Sequence, residues 1–345
     1  MSTVFKKITE KVLGKGKPPQ SASEGSLEGN LNAVIASKEF IADEVIEITL
    51  RSQDDEPLPS FSAGAHIDFS IRSDLLRQYS LAGNPNDSSQ YQIAVLIEEE
   101  GTGGSLALRD ELKVGDSIQI SLPRNHFPLV AGASYSVLFA GGIGITPLLS
   151  MAYQLRESGQ EFKLYYRAKR RASAAYADLL KSEFGDAVEC LFSDEGGREA
   201  FDLGAILSDL PKETELYTCG SKSFMGFITE KAANYLPENK IHLEHFYPDE
   251  AVDTSGDKGF ELYCAKSDVQ VQVPADKSII EVLDEAGVDI PVSCTEGVCG
   301  SCITRFTEGE VEHRDCILNK AEKEKKQLFT PCCSRAKSNR LVIDA

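Results

Sequence analysis

Residues 46–50 read Ile46-Glu47-Ile48-Thr49-Leu50, an alternation that sets three aliphatic side chains on one face of a strand and polar ones on the other. Similar β-rich runs at 31–36, 44–50, 65–71, 78–82 and 91–97 are separated by clusters of turn residues, a spacing that predicts an antiparallel barrel. Beyond about residue 131 the pattern changes. Strand-like runs at 136–140, 162–166, 188–192, 215–219 and 241–245 alternate with helical stretches at 146–157, 174–184 and 224–235, the order expected of a parallel sheet flanked by helices. The one long apolar stretch, 136–153, contains Gly141, Gly142, Gly144 and Pro147, so it reads as strand, glycine turn and helix rather than a membrane span.

These patterns divide the chain into an N-terminal extension and linker (1–30), a barrel (31–131), an α/β domain (132–247), an acidic linker (248–258) and a cysteine-rich domain (259–345). The extension opens with an amphipathic piece, Val4, Phe5, Ile8 and Val12, to which no function is assigned. With 345 residues, 41% hydrophobic and 26% charged, the chain has room for several domain cores. Its net charge of −18 argues against nucleic acid and anionic membrane as partners. Nine cysteines, an odd number, follow an N-terminus without a secretory apolar core, which favours a reducing, cytoplasmic compartment and metal-ligating thiols over disulfides.

The densest chemical signal is Cys294-Thr295-Glu296-Gly297-Val298-Cys299-Gly300-Ser301-Cys302, with a fourth cysteine further on at Cys332 or Cys333. C-x₄-C-x₂-C plus one distant cysteine is the spacing of plant-type [2Fe–2S] ferredoxins, whose iron takes soft thiolates. A zinc site is the alternative, but zinc ligands usually come as two close pairs. Cys264 and Cys316 read as ordinary small residues of the same domain.

A second signal, Arg77-Gln78-Tyr79-Ser80-Leu81, lies on a barrel strand and is followed by Gly103-Gly104-Ser105 opening a helix. Arginine suits a phosphate, tyrosine a ring face and serine a heteroatom, and a helix N-terminus offers unhindered N–H groups. Alone, this motif would more often be plain strand. The third, Ala140-Gly141-Gly142-Ile143-Gly144-Ile145-Thr146-Pro147, follows an apolar strand; its glycines admit a pyrophosphate to a helix N-terminus that Thr146 is placed to cap and that Pro147 begins. His242 and His245 are separated by an odd step on a strand and face opposite ways, which excludes a metal pair.

Together these motifs resemble the ferredoxin–NADP reductase superfamily, and within it the reductases of the phthalate dioxygenase and vanillate demethylase kind, over residues 31–345. The resemblance implies an antiparallel flavin barrel, an α/β nucleotide domain and a C-terminal α+β (β-grasp) ferredoxin domain. It assigns FMN to Arg77, Tyr79, Ser80 and Leu81, with Gly103, Gly104 and Ser105 completing the phosphate site, and NAD(P)H to Gly141, Gly142, Gly144, Thr146 and Pro147. Thr218-Cys219-Gly220 looks like the family's cysteine–glycine turn near the nicotinamide, and Glu244-His245-Phe246 like its E-x-F segment, whose aromatic ring lies by the flavin. Ser80, Cys219, Glu244 and Phe246 would then stand at the reacting atoms. Matching Phe329-Thr330-Pro331-Cys332-Cys333 to the family makes Cys332 the fourth ligand beside Cys294, Cys299 and Cys302. Arg167, heading Arg167-Ala168-Lys169-Arg170-Arg171 where the adenosine ribose would sit, leaves NADPH open beside the NADH the family favours, although a solvated charge run is the commoner meaning.

The implied activity is that of a reductase passing electrons from NAD(P)H through FMN and the cluster to a separate Rieske-type oxygenase, since no Rieske or haem-attachment pattern occurs in the chain. Its rivals are a reductase serving a di-iron hydroxylase or a cytochrome, and a redox-inert nucleotide-binding or zinc module.

Overall fold

The alternation at 46–50 becomes half of a barrel wall. A computed structural model describes residues 30–345 except 55, 74, 102, 198–200 and 247–253; the amphipathic piece of the extension and most of the acidic linker lie outside the described residues. Strands β1 (Leu31–Ala42), β2 (Val45–Ser52), β3 (His66–Arg72), β4 (Leu75–Ser80), β5 (Tyr91–Leu96) and, after helix α1 (Gly104–Glu111), β6 (Ser117–Ile120) form one antiparallel sheet in the order β4-β3-β6-β1-β2-β5. A bridge from Leu81 to Ile93 joins its two edges and closes the barrel. Ile46, Ile48 and Leu50 face the interior with Ile35, Ile67 and Ile118. β6 escaped the sequence reading because four residues, Ser117-Ile118-Gln119-Ile120, give too short a run to register a period.

The next segment is a parallel sheet of β7 (Tyr135–Gly141), β8 (Glu161–Ala168), β9 (Val188–Phe192), β10 (Thr214–Cys219) and β11 (Ile241–Glu244), ordered β11-β10-β7-β8-β9. It is flanked by α2 (Ile145–Ser158), α3 (Ala177–Phe184), α4 (Leu203–Ser208) and α5 (Lys222–Ala232). The chain runs outward from β7 through β8 to β9, then returns to β10 on the other side. The crevice at the carboxyl ends of β7 and β10 is therefore the topological switch point, where ligands of open parallel sheets bind. One face of the sheet shares a core with the barrel: Leu138, Leu148 and Tyr166 pack in one cluster with Val45, Ala63, Ala94 and Phe127.

The last segment contains β12 (Phe260–Cys264), β13 (Val269–Val273), α6 (Ile279–Glu285), β14 (Thr304–Glu308), β15 (Val311–Glu312), α7 (Lys320–Glu324), β16 (Leu328–Phe329), β17 (Arg335–Ala336) and β18 (Arg340–Ile343). Its five-stranded sheet, β13-β12-β18-β14-β16, buries a core drawn entirely from residues 260–345, among them Leu262, Ile279, Phe329 and Ile343. Helix α6 is fixed by a capping box, Ser278 with Glu281.

Candidate functional site

The three segments meet at one cavity of about 720 Å³, lined from the barrel by Arg77, Tyr79 and Ser80, from the parallel sheet by Thr146, Glu244 and Phe246, and from the cysteine loop by Cys294. That volume lies within the range of small-molecule sites, and the meeting of domains is where such sites form.

At one end, Arg77 lies across the first turn of α1. A Cβ on Gly104 would stand 2.5 Å from Arg77 Nε, so any side chain there would push the guanidinium away. α1 starts from Gly103 in the left-handed region with no side-chain cap and no acid in its first turn, so its first N–H groups can receive an anion, and the Arg77 guanidinium, which donates to the Leu76 carbonyl at 2.8 Å, lies beside them. Ser105 Oγ accepts a hydrogen bond from Glu98 N–H at 3.0 Å, and its own proton stays available. Tyr79 packs edge-on against Phe69 and presents its outer face to the cavity. This end fits a flavin mononucleotide: an anion cradle, then a flat wall. Leu81 differs from the other motif residues. It is fully buried in the barrel core, does not line the cavity, and serves barrel closure instead.

At the other end stand groups from four separate elements. Ser80 Oγ donates to Glu244 Oε2 at 3.4 Å, joining the end of β4 to the end of β11. Glu244 lines the cavity and is half-buried, and its burial pushes its carboxyl up to about 8, with the Ser80 hydrogen bond opposing the shift. Cys219, the register partner of Glu244 on β10, is fully buried; burial, reinforced by Glu244, pushes its thiol well above the ordinary range. It lies behind the cavity wall rather than in it. The turns after β7 and β10 touch: a Cβ on Gly144 would fall 2.3 Å from the Cys219 carbonyl oxygen. Gly141, Gly142 and Pro147 complete the first turn, and Gly220 the second, all outside the cavity lining. Thr146 does not cap α2 as its sequence position suggests. The helix begins one residue earlier, so Thr146 is already inside it and donates its hydroxyl to the Ile143 carbonyl at 3.1 Å.

The basic run is largely engaged. Arg170 pairs with Asp43 at 3.0 Å, Arg171 with Glu195 at 3.5 Å, and Arg167 stacks on Phe201. His242 turns to Glu215 at 2.8 Å and stacks on Tyr217, while His245 lines the cavity, so the two do face apart.

The four cysteines converge. Cys294 contacts the thiols of Cys299 and Cys332, whose hydrogen bonds pull its pKa down, and the Glu296 and Val298 N–H groups act in the same direction; Cys332 contacts Cys294, Cys302 and Cys333. Cys299, Cys302 and Cys332 are buried, and Ser301 N–H reaches Cys299 Sγ at 3.4 Å. Such N–H donors steady thiolates and cluster sulfurs. Among the described residues no His, Cys, Asp or Glu group is arranged for a single metal ion; a binuclear cluster shares its four cysteines between two irons, and this donor set fits one. Cys333 contacts Cys332 beside it and also bonds to Thr330 and Ser334, Cys316 bonds to the Gly297 carbonyl, and Cys264 is core.

His66, His126, Ile143 and Glu296 also line the cavity, although none was singled out from the sequence and only Ile143 and Glu296 lie within its motifs. His66, buried beside Arg124 and His126, is held neutral with its pKa pushed down to about 3. Only the closeness of Glu296 to Cys294 could have drawn attention to it.

A family model described as a 2Fe-2S iron-sulfur cluster binding domain matches residues 262–337. The vanillate O-demethylase oxidoreductase of Pseudomonas sp. (strain HR199 / DSM 7063) is 42% identical over 317 residues, 91% of this chain and 99% of its own. Among solved structures, phthalate dioxygenase reductase, described as a modular structure for electron transfer from pyridine nucleotides to [2Fe–2S], superposes with a TM-score of 0.69 at 36% identity, covering 92% of this chain and 98% of that one. An intact type IV self-sufficient cytochrome P450 monooxygenase gives a TM-score of 0.85 at 36% identity and 96% coverage, but this chain spans only 43% of it.

Proposed function

We infer the function from one premise: the chain belongs to the family of the vanillate O-demethylase and phthalate dioxygenase reductases. It is the reductase component of an oxygenase system, carrying electrons from NAD(P)H through FMN and a [2Fe–2S] cluster to a separate terminal oxygenase. The observation that carries this reading is the shared cavity, where Tyr79 and Ser80, Glu244 and Phe246, and Cys294 line one space.

FMN, when bound, turns the two-electron hydride of a nicotinamide into single electrons that a cluster can accept. Arg77 and the first turn of α1 would hold its phosphate, and Tyr79 would bound the ring. The carboxyl ends of β7 and β10 would receive the nucleotide. Glu244 keeps its proton at neutral pH, so the Ser80–Glu244 pair offers an uncharged donor and acceptor at the ring edge. The absence of a carboxylate charge there avoids repelling incoming negative charge. Cys219, a thiol at neutral pH, backs the same corner as a small polarizable group. Cys294, Cys299, Cys302 and Cys332 would ligate the cluster. NADH is the favoured donor, supported by the acid partners that Arg170 and Arg171 already have.

We take 31–131 as the flavin domain, 132–247 as the nucleotide domain and 259–345 as the cluster domain, joined by 248–258 and preceded by the 1–30 extension; each sheet among the described residues falls within one of these spans. No helix among the described residues is long and apolar enough to cross a membrane, and nine free cysteines support a reducing, cytoplasmic setting.

A haem acceptor is the second reading, favoured by the likeness to the self-sufficient cytochrome P450. The vanillate O-demethylase oxidoreductase, matched over 99% of its length, favours the oxygenase. The test is the visible spectrum of anaerobically purified protein before and after stoichiometric NADH, with NADPH in parallel. Flavin and cluster bands should bleach with NADH; a protein that stays colourless after reconstitution with FMN and iron overturns the reading.

A further inference from the structure

The cluster loop is tied to the barrel through a buried carboxylate. Asp68, in the middle of β3, is 1% exposed, and a carboxylate so placed needs its oxygens matched by donors. Its Oδ1 accepts the Ser293 hydroxyl at 2.6 Å and Gln78 Nε2 at 3.0 Å, and Arg124 pairs with the same oxygen at 2.7 Å. Gln78 Nε2 also reaches Ser293 Oγ at 3.4 Å.

The origins of these partners give the arrangement its meaning. Gln78 sits between Arg77 and Tyr79, directly opposite Asp68 in the β3–β4 ladder, so it belongs to the strand that would carry the flavin. Ser293 immediately precedes Cys294, and it is 225 residues from Asp68 along the chain. Beside them His66 and His126 stack with centroids 5.6 Å apart, and a Cβ on Gly300 would stand 3.1 Å from His126 Nε2. The loop thus rests on the barrel at both Ser293 and Gly300, while Asp68 supplies the directional, charge-assisted contact.

We propose that Asp68 is a positioning residue for the flavin-to-cluster step: it clamps Ser293 to the flavin strand and so fixes Cys294 at the cavity. The proposal rests on the reductase reading. The step concerned moves one electron from flavin to one ferric iron, with no bond formed or broken; the hydride step, at the β7 and β10 turns, lies outside the clamp.

The test uses full-length holoprotein carrying Ser293→Ala, Asp68→Asn or Ser293→Thr, mixed anaerobically with NADH and followed separately at flavin and cluster wavelengths. Loss of a hydrogen bond to a charged group should slow the cluster phase about tenfold or more in the first two variants, with the flavin phase within about twofold of the parent. Amide hydrogen exchange across residues 291–302, read without NADH, should speed up by a similar factor, and Ser293→Thr, which keeps the hydroxyl, should restore both readouts. If Ser293→Ala loads FMN and iron fully yet matches the parent in cluster phase and exchange, the clamp is wrong. Equal slowing of both phases also overturns it, because it would report general loss of structure. A parent protein that binds FMN and iron but bleaches with neither nucleotide overturns the reductase reading, and the clamp falls with it.

Discussion

The two ends of the electron path are built in opposite ways. The cysteine loop takes three of its four sulfurs from nine consecutive residues, and its backbone N–H groups turn onto those same sulfurs. The corner at Ser80, Thr146, Cys219 and Glu244 takes one residue from each of four elements spread over two domains. A contiguous loop holds its donors by local chain geometry. An assembled corner exists only while barrel and parallel sheet are packed together, and it is there that burial drives a carboxyl up to about 8. Chemistry that needs a fixed ligand set can be encoded locally; chemistry that needs a desolvated environment has to be enclosed.

Breaking each end separately sharpens this contrast. The largest effect belongs to the loop: Cys299→Ser removes a buried cysteine proposed as a ligand and should abolish the cluster signal and its iron, while flavin content and NADH-dependent flavin bleaching persist. Iron analysis beside the flavin spectrum checks this, and joint loss of both groups would show the two ends to be less independent than argued. Next is Gly144→Ala, whose methyl would meet the Cys219 carbonyl at 2.3 Å and must separate the two turns. NADH-driven flavin reduction should fall about 10²-fold, as misplacements near 1 Å do, with a normal cluster spectrum; stopped-flow reduction measures it.

The smallest effect concerns Glu244. Its folded-state pKa, raised from 4.5 to about 8, means that between those pH values the folded chain holds a proton that the unfolded chain has released. Stability from this group is complete below pH 4.5 and declines by about 1.4 kcal/mol per pH unit as pH rises toward 8. Glu244→Gln should remove that slope, and urea unfolding of the parent and variant at pH 5 and pH 8 compares them. An unchanged slope would mean that the corner is wetter than its packing implies.

The same contrast explains what could be read in advance. The cysteine loop was legible because spacing alone carries its chemistry, and the strand and helix runs because their periods survive without tertiary help. The choice of Cys332 over Cys333 rested on the match to the family, since spacing alone allows either; the fold brings Cys332 to Cys294 and Cys302, with Cys333 against Cys332 and Thr330. Thr146 misled because a cap and a first-turn position differ by one or two residues, and helix starts are set by backbone geometry that sequence marks loosely. Arg170 and Arg171 looked like free cations because their acids, Asp43 and Glu195, are distant in sequence. Asp68 gave no signal at all. An aspartate in a strand run is ordinary until Ser293 is brought against it from another domain.

One hydrophobic cluster is shared by the barrel and the parallel sheet, beside a core that each keeps to itself, whereas the C-terminal sheet shares none and encloses a core of its own from residues 260–345. Heat should therefore melt this chain as two cooperative blocks rather than three, with the first two domains giving way together.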